Sequence, residues 1–413
     1  MTRTTTKHWA ALAGITALMG IGVGASVIGC QTYDFQPVKP AAIAHQTISQ
    51  SVAAKGYHPK IMMLVDRSQS MNIVDSGSTT SRLAQLKSAM GTFLTDGDSS
   101  SVAQFGFVGY SSLNGQQCDA PKLADITSVG VDLIDSDDDG PLVAQSSKVN
   151  TAIQGLTALG GTPTAASLTM LQTYEKLVSV DSVGRKRFVI LLTDGLPNCN
   201  LRNANNQCNA VNATCKCTSV IAGACTHPSD CSAGCLDEDA SVTAARALFA
   251  QGVQVIVVGF GAELNTDEGY DVLNKIAVAG GFSPTCDAKK TCSAGTDPAD
   301  VCIINAGQSA GVCTKKYYQA NTGPELAKAL KLIIGDIVNP CHVVLTNKVK
   351  DLTLLSVKVD NQIIPSGPDT WVYSEPDGNP VIDFKAGNPT CDKLQASTKL
   401  KPIALEINAV NIL

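Results

Sequence analysis

Two short, unbroken apolar runs constrain this chain more than any other feature: Ile61-Met62-Met63-Leu64-Val65 and Phe188-Val189-Ile190-Leu191-Leu192. Runs of this length without polar alternation suit strands buried on both faces of a parallel sheet. Val102 to Tyr110 and Val253 to Val258 add two further strands. Between them, apolar residues recur at helical spacing. Leu83, Leu86, Met90, Phe93 and Leu94 predict a helix from about Ser81, and Ala165, Leu168, Leu171 and Val178 one within Thr162 to Val180. Val242, Ala245, Leu248 and Phe249 mark another, and Leu326, Leu330, Ile333 and Ile337 a last one from Pro324 to about Val338. Strands alternating with helices predict an α/β fold with a doubly wound, mostly parallel sheet.

In such a sheet all strands run one way, so a residue directly after a strand lies on the carboxyl edge, where open α/β folds bind ligands. Asp66 follows the first run directly, and Asp194 follows the run ending at Leu192-Thr193. Ser68 and Ser70 lie in the turn after Asp66, and Gly160-Gly161-Thr162-Pro163-Thr164 opens a helix on the same side. Two carboxylates and several hydroxyls make an all-oxygen set suited to Mg²⁺, Mn²⁺ or Ca²⁺ rather than zinc. The plainer reading is that Asp and Ser cap turns and helices here.

D-x-S-x-S after the first strand, a G-G-T loop and a strand ending in T-D-G together resemble the von Willebrand factor A family. The resemblance covers roughly residues 58–340. It implies a metal-ion-dependent adhesion site with Ser68, Ser70 and Thr162 as hydroxyl ligands, and with Asp66 and Asp194 acting largely through water. Thr164 is the alternative to Thr162. The implied activity is adhesion and not catalysis: a partner's carboxylate completes the shell of a cation, Mg²⁺ before Mn²⁺ or Ca²⁺. Arg67 is expected to point outward beside the metal and steer an acidic partner.

Residues 1–29 read as an export signal, with Arg3 and Lys7 before an apolar stretch from Trp9 to Ile28. Val27-Ile28-Gly29-Cys30 resembles the bacterial lipoprotein signal, which implies a lipid on Cys30 and, with Gln31 next, an outer-membrane location. Residues 30–57, with Pro37 and Pro40, read as a tether. The net charge of -5 argues against a nucleic-acid partner.

The chain has 15 cysteines, and setting aside Cys30 leaves an even number, as disulfides in an exported protein require. Cys286, Cys292, Cys302 and Cys313 can pair among themselves, and Cys341 with Cys391. Cys199, Cys208, Cys215, Cys217, Cys225, Cys231 and Cys235 form an odd cluster, so Cys118 is expected to bridge to it. The spacings lack the paired C-x-x-C units of a zinc site.

The chain therefore divides into a signal (1–29), a tether (30–57), an A-type domain (58–339) with cysteine-rich insertions near 199–235 and 283–315, and a β module (340–413). In that module Val343-Val344-Leu345, Leu352 to Val359, Trp371-Val372-Tyr373 and Val381 to Phe384 read as short strands. The start Cys30-Gln31-Thr32-Tyr33-Asp34-Phe35, the cysteine-laden insertion and Pro389-Thr390-Cys391-Asp392-Lys393-Leu394 are similar to a gliding-motility outer-membrane lipoprotein family of myxobacteria. That narrower resemblance implies coupling of an envelope gliding apparatus to substratum or partner proteins. The alternative is an envelope scaffold or sensor using the same site.

Two further motifs carry less. Gly307-Gln308-Ser309-Ala310-Gly311 matches a hydrolase nucleophile elbow, which needs a strand before it and a helix after. It makes a serine hydrolase using Ser309 the remote alternative. Asp135, Asp137, Asp139 and Gly140 open like a calcium loop, but its twelfth position is Ser146 rather than Glu. A solvated acidic turn is expected there.

Overall fold

In the computed structural model of the chain, the described residues are 47–51, 58–112, 118–180, 185–200, 218, 234–261, 264, 267–287, 292, 300–304, 310–337, 341–345, 348–375, 380–385, 387–395 and 403–412. Cys30, the signal and Ser309 lie outside them, as do Cys208, Cys215, Cys217, Cys225 and Cys231.

The described residues begin with β1 (Thr47–Ser51), β2 (Lys60–Asp66), α1 (Arg82–Thr95) and β3 (Gln104–Tyr110). Four helices follow: α2 (Leu123–Ser128), α3 (Asp139–Gln154), α4 (Thr164–Leu171) and the single turn α5 (Glu175–Val178). Then come β4 (Arg187–Thr193), α6 (Glu238–Ala250), β5 (Val253–Phe260) and α7 (Asp267–Ala279). The small strands β6 (Thr285–Asp287), β7 (Cys302–Ile303) and β8 (Ala310–Cys313) precede β9 (Tyr318–Ala320) and α8 (Gly323–Ile337).

The central sheet has the order β3-β2-β4-β5-β9, every pair parallel. Its strands are apolar on both faces because helices cover both. Ile61, Met63 and Val65 pack in one cluster with Leu86, Met90 and Phe93 of α1 and Leu330 and Ile333 of α8. Met62 and Leu64 pack in the other with Leu168 of α4, Leu248 of α6 and Leu273 of α7. Each such fully buried side chain contributes about 1.5–3 kcal/mol. From β2 the chain moves to β3 on one side and later returns to β4 on the other. The order therefore reverses between β2 and β4, and that switch point opens a crevice at the carboxyl edge.

The helical reading of Thr162 to Val180 splits in two. α4 ends at Leu171 and α5 starts again at Glu175, with the Tyr174 hydroxyl bonded to Asp132 in between. The sequence reading missed α3 and α7. In α3 the buried face includes Gln145 and Ser146, whose polar ends bond backbone carbonyls, so the apolar period is broken.

After α8 come β10 (His342–Val344), β11 (Leu355–Val359), β12 (Gln362–Ile364), β13 (Trp371–Ser374), β14 (Val381–Phe384), helix α9 (Pro389–Gln395) and β15 (Leu405–Ile412). They form two sheets, β1-β15-β11-β12 and β10-β14-β13, around Val357, Trp371, Ile382, Phe384 and Ile407. Asp360-Asn361 makes the two-residue hairpin loop, both at positive φ (48° and 63°), which short polar side chains tolerate best. Two features differ from the sequence reading. Cys391 sits on a helix, and Thr47–Ser51, within the stretch read as a tether, is a strand paired antiparallel with β15. A pairing between segments so far apart in sequence leaves no local periodic signal.

Four disulfides join described residues: Cys118–Cys199, Cys286–Cys302, Cys292–Cys313 and Cys341–Cys391. Cys235 is also disulfide-bonded. No helix among the described residues is long and apolar enough to cross a membrane.

Candidate metal centre

Asp66 ends β2, and Asp194 follows β4 by one residue, so the pairing of the two strands sets both carboxylates beside the switch point. Both are fully buried. One Asp66 oxygen accepts the Ser68 amide at 2.7 Å, and the other lies 2.8 Å from the Thr193 hydroxyl on the neighbouring strand. These contacts fold the D-x-S-x-S turn back over the strand end. The Ser68 and Ser70 hydroxyls are 2.8 Å apart, and Ser70 donates to Asp194 Oδ1 at 2.9 Å. Ser70 is half-buried where Ser68 is buried, so the cluster opens on the Ser70 side.

The G-G-T loop lies against this turn. The Gln69 amide donates to the Gly160 carbonyl at 2.9 Å, and the Leu159 amide to the Arg67 carbonyl at 2.7 Å. Gly160 has φ +85°, a conformation that favours glycine. Thr162 is buried beside it. Thr164 is buried too, and its hydroxyl donates to the Thr162 carbonyl at 3.5 Å. The structure thus brings Asp66, Ser68, Ser70 and Asp194 into one hydrogen-bonded cluster, with the backbone of the Thr162 loop against it.

Burial raises the Asp66 carboxyl above its usual value. It raises Asp194 as well, and the neighbouring Asp66 charge raises it further. Arg82, the first residue of α1, partly offsets this by donating to Asp194 Oδ2 at 3.1 Å. The Arg82 guanidinium is fully buried and also grips Asp75, with Nε 3.0 Å from Asp75 Oδ2. At Gly261, which has φ +111°, a Cβ would come within 2.9 Å of Arg82 Nε, so glycine leaves room for this arginine.

Arg67 departs from its expected place. It is 1% exposed, and its guanidinium donates to the carbonyls of Thr157 (2.8 Å) and Ser112 (3.0 Å). Loop carbonyls on two sides of the turn satisfy its donors, so the side chain turns inward and clamps those loops together. Neither Arg82 nor this clamp was found from sequence. A lone arginine in a polar stretch carries no periodic signal, and Asp194 for Arg82 and the carbonyls of Thr157 and Ser112 for Arg67 lie far along the chain.

The sequence of residues 60–290 matches the family model described as von Willebrand factor type A domain. The chain belongs to this family. No curated protein matches it. Among solved structures, the pilus adhesin SpaC from Lactobacillus rhamnosus GG is similar over 88% of this chain and 40% of its own, with 15% identity and a TM-score of 0.42. Proximal thread matrix protein 1 from the mussel byssus, in a structure with a zinc-occupied MIDAS motif, is similar over 71% of this chain and 50% of its own (17% identity, TM-score 0.32). The manganese-loaded Plasmodium vivax TRAP protein is similar over 69% of this chain and 74% of its own (15% identity, TM-score 0.34). This chain therefore spans half or less of the length of the first two.

The residues at the A-domain switch point fit a hard cation. Their donors are all oxygens, and two buried carboxylates stand side by side with Arg82 as the basic partner bonded to Asp194. A divalent ion would relieve the repulsion that burial intensifies.

The other sequence candidates lie elsewhere. Asp137 pairs with Arg185 and accepts the His58 amide at 3.0 Å, Asp135 pairs with Lys60, and Asp139 begins α3. Asp135 and Asp137 are thus matched to bases at the opposite end of the sheet and Asp139 stands on a helix, so the triplet is not gathered as a calcium loop. The residues after Ser309 form strand β8 in a small antiparallel sheet, where a nucleophile elbow requires a helix.

Proposed function

We propose that this protein is an exported, lipid-anchored adhesin of the outer surface that binds carboxylate-bearing partners through a divalent cation, Mg²⁺ foremost. The observation that carries the reading is the Ser68–Ser70–Asp194 hydroxyl–carboxylate cluster beside buried Asp66, at the switch point of an A-type sheet. Ser68, Ser70 and Thr162 would hold the ion directly, with Asp66 and Asp194 orienting its water. When bound, the cation supplies an electrophilic position that a partner's Asp or Glu carboxylate can fill. Asp66 fixes the turn through the Ser68 amide, Arg82 holds the far oxygen of Asp194, and Ser70 sits at the opening. On this reading the site serves adhesion and not a reaction, because the partner's carboxylate is bound and released unchanged. The anchor at Cys30, the outer-membrane location and the link to a gliding apparatus extend this reading from sequence resemblance.

Calorimetric titration of the purified chain with Mg²⁺ and Mn²⁺, beside a Ser68→Ala, Ser70→Ala double variant, tests the site. Saturable binding that the variant loses is expected; no binding by the parent chain overturns the reading. On cells, Asp66→Ala should abolish adhesion at normal surface levels. Protection of the chain from protease on whole cells would favour a scaffold facing the periplasm instead.

A further inference from the structure

Thr162 stands between Gly161 and Pro163, and its carbonyl accepts the Thr164 amide at 2.8 Å and the Thr164 hydroxyl at 3.5 Å. Its backbone is also held from further along the chain. The Thr162 amide donates to Asn198 Oδ1 at 2.6 Å, and the Asn198 amide donates back to the Thr162 carbonyl at 3.0 Å. Asn198 lies at the start of the first cysteine-rich insertion, next to Cys199. Cys199 has φ +66°, a left-handed conformation that a non-glycine residue adopts only when its surroundings impose it. Those surroundings are the Cys118–Cys199 disulfide and two bonds to the segment before α6. The Asp237 amide donates to the Pro197 carbonyl at 3.0 Å, and Asn200 Nδ2 to the Leu236 carbonyl at 3.0 Å. At the other end of the disulfide, the Asp119 carbonyl accepts the Ser112 amide at 2.8 Å, and the Ser112 carbonyl accepts Arg67. A closed circuit therefore runs from Thr162 through Asn198, the disulfide and Ser112 to Arg67, the neighbour of Asp66 and Ser68.

We propose that Asn198, pinned by the Cys118–Cys199 disulfide, is a positioning residue that sets Thr162 as a donor to the cation, so that the disulfide-bonded insertion tunes cation affinity. This rests on the cation reading above. A residue that orients a ligand typically changes metal affinity by about 10–100-fold when removed.

The test is Mn²⁺ titration of the purified full chain carrying Asn198→Ala, Asn198→Asp, Thr162→Ala, and Asn198→Ala with Thr162→Ala. Hydrogen exchange at the Thr162 amide is followed in the metal-free protein. Asn198→Ala should weaken Mn²⁺ about 10-fold or more and speed exchange at Thr162 without metal. Asn198→Asp keeps the acceptor and should restore both. In the Thr162→Ala background, Asn198→Ala should cost nothing further in affinity, as two residues acting through one ligand require. A Cys118→Ser, Cys199→Ser chain should shift affinity in the same direction as Asn198→Ala. The inference is overturned if Asn198→Ala binds like the parent. It is also overturned if the loss is as large with Thr162→Ala present, which would mark general destabilisation. No binding by the parent chain would overturn the cation reading and this inference together.

Discussion

Two groups of aspartates in the A-type domain matched cation-binding motifs in sequence, and their surroundings differ in the fold. At the amino edge of the sheet, Asp137 meets Arg185 and His58, and Asp135 meets Lys60. At the carboxyl edge, Asp66 accepts from a backbone amide and lies beside a hydroxyl, while Asp194 shares one buried arginine with Asp75. The first group is neutralised by the chain itself. In the second, one buried arginine serves Asp194 and Asp75, while an amide and a hydroxyl hold Asp66. The fold, and not the spacing of the aspartates, decides which acidic motif is matched to bases.

The largest expected effect breaks this comparison directly. Ser68→Ala with Ser70→Ala should reduce Mg²⁺ affinity by more than the ~100-fold that loss of a supporting residue can cost. Asp135→Asn with Asp137→Asn should leave that affinity unchanged in the same titration. Cation loss from the amino-edge variant would refute the contrast. Mg²⁺ at 100 times its dissociation constant should also stabilise the parent chain by about 2.7 kcal/mol against urea, and the serine variant not at all.

The two arginines that hold carboxylates are compared by folding stability, not by affinity. Arg82→Gln leaves Asp194 buried without its base, and breaking a buried pair typically costs about 3–5 kcal/mol. Arg185 is partly exposed, so Arg185→Gln should cost less, about 1–2 kcal/mol between the values for exposed and buried pairs. Urea midpoints of the two variants without metal check the ranking. Equal losses would show that burial does not separate the two groups.

The sheet and the site's carboxylates were legible because both depend on local pattern. A continuous apolar run marks a strand, and a residue directly after it must lie on the carboxyl edge. Arg67 sits inside the recognised motif, yet its direction was misread, because the carbonyls of Thr157 and Ser112 that satisfy it belong to loops far along the chain. Arg82 and Asn198 were invisible for the same reason. In α3, Gln145 and Ser146 occupy buried positions that a search for apolar period passes over. The strand Thr47–Ser51 shows itself only by its partner Leu405–Ile412, at the other end of the chain.

The smallest expected effect concerns the amino edge alone and sharpens the claim that its charges are satisfied internally. Burial would by itself raise the Asp137 carboxyl, but the Arg185 guanidinium and the His58 amide outweigh it and hold the group below the usual carboxylate range. A carboxyl depressed in the folded chain contributes stability that is fully present above its unfolded value of about 3.9 and is lost as pH falls through the folded value. Asp137→Asn removes that contribution at every pH. The parent should therefore exceed the variant by about 1 kcal/mol at pH 7, a gap of ion-pair size that closes progressively below about pH 5. Urea titrations of both chains at pH 7, 5, 4 and 3 measure it. A gap independent of pH would mean that Asp137 acts through packing and not through its charge, and the amino edge would no longer stand as the neutralised counterpart of the candidate metal centre.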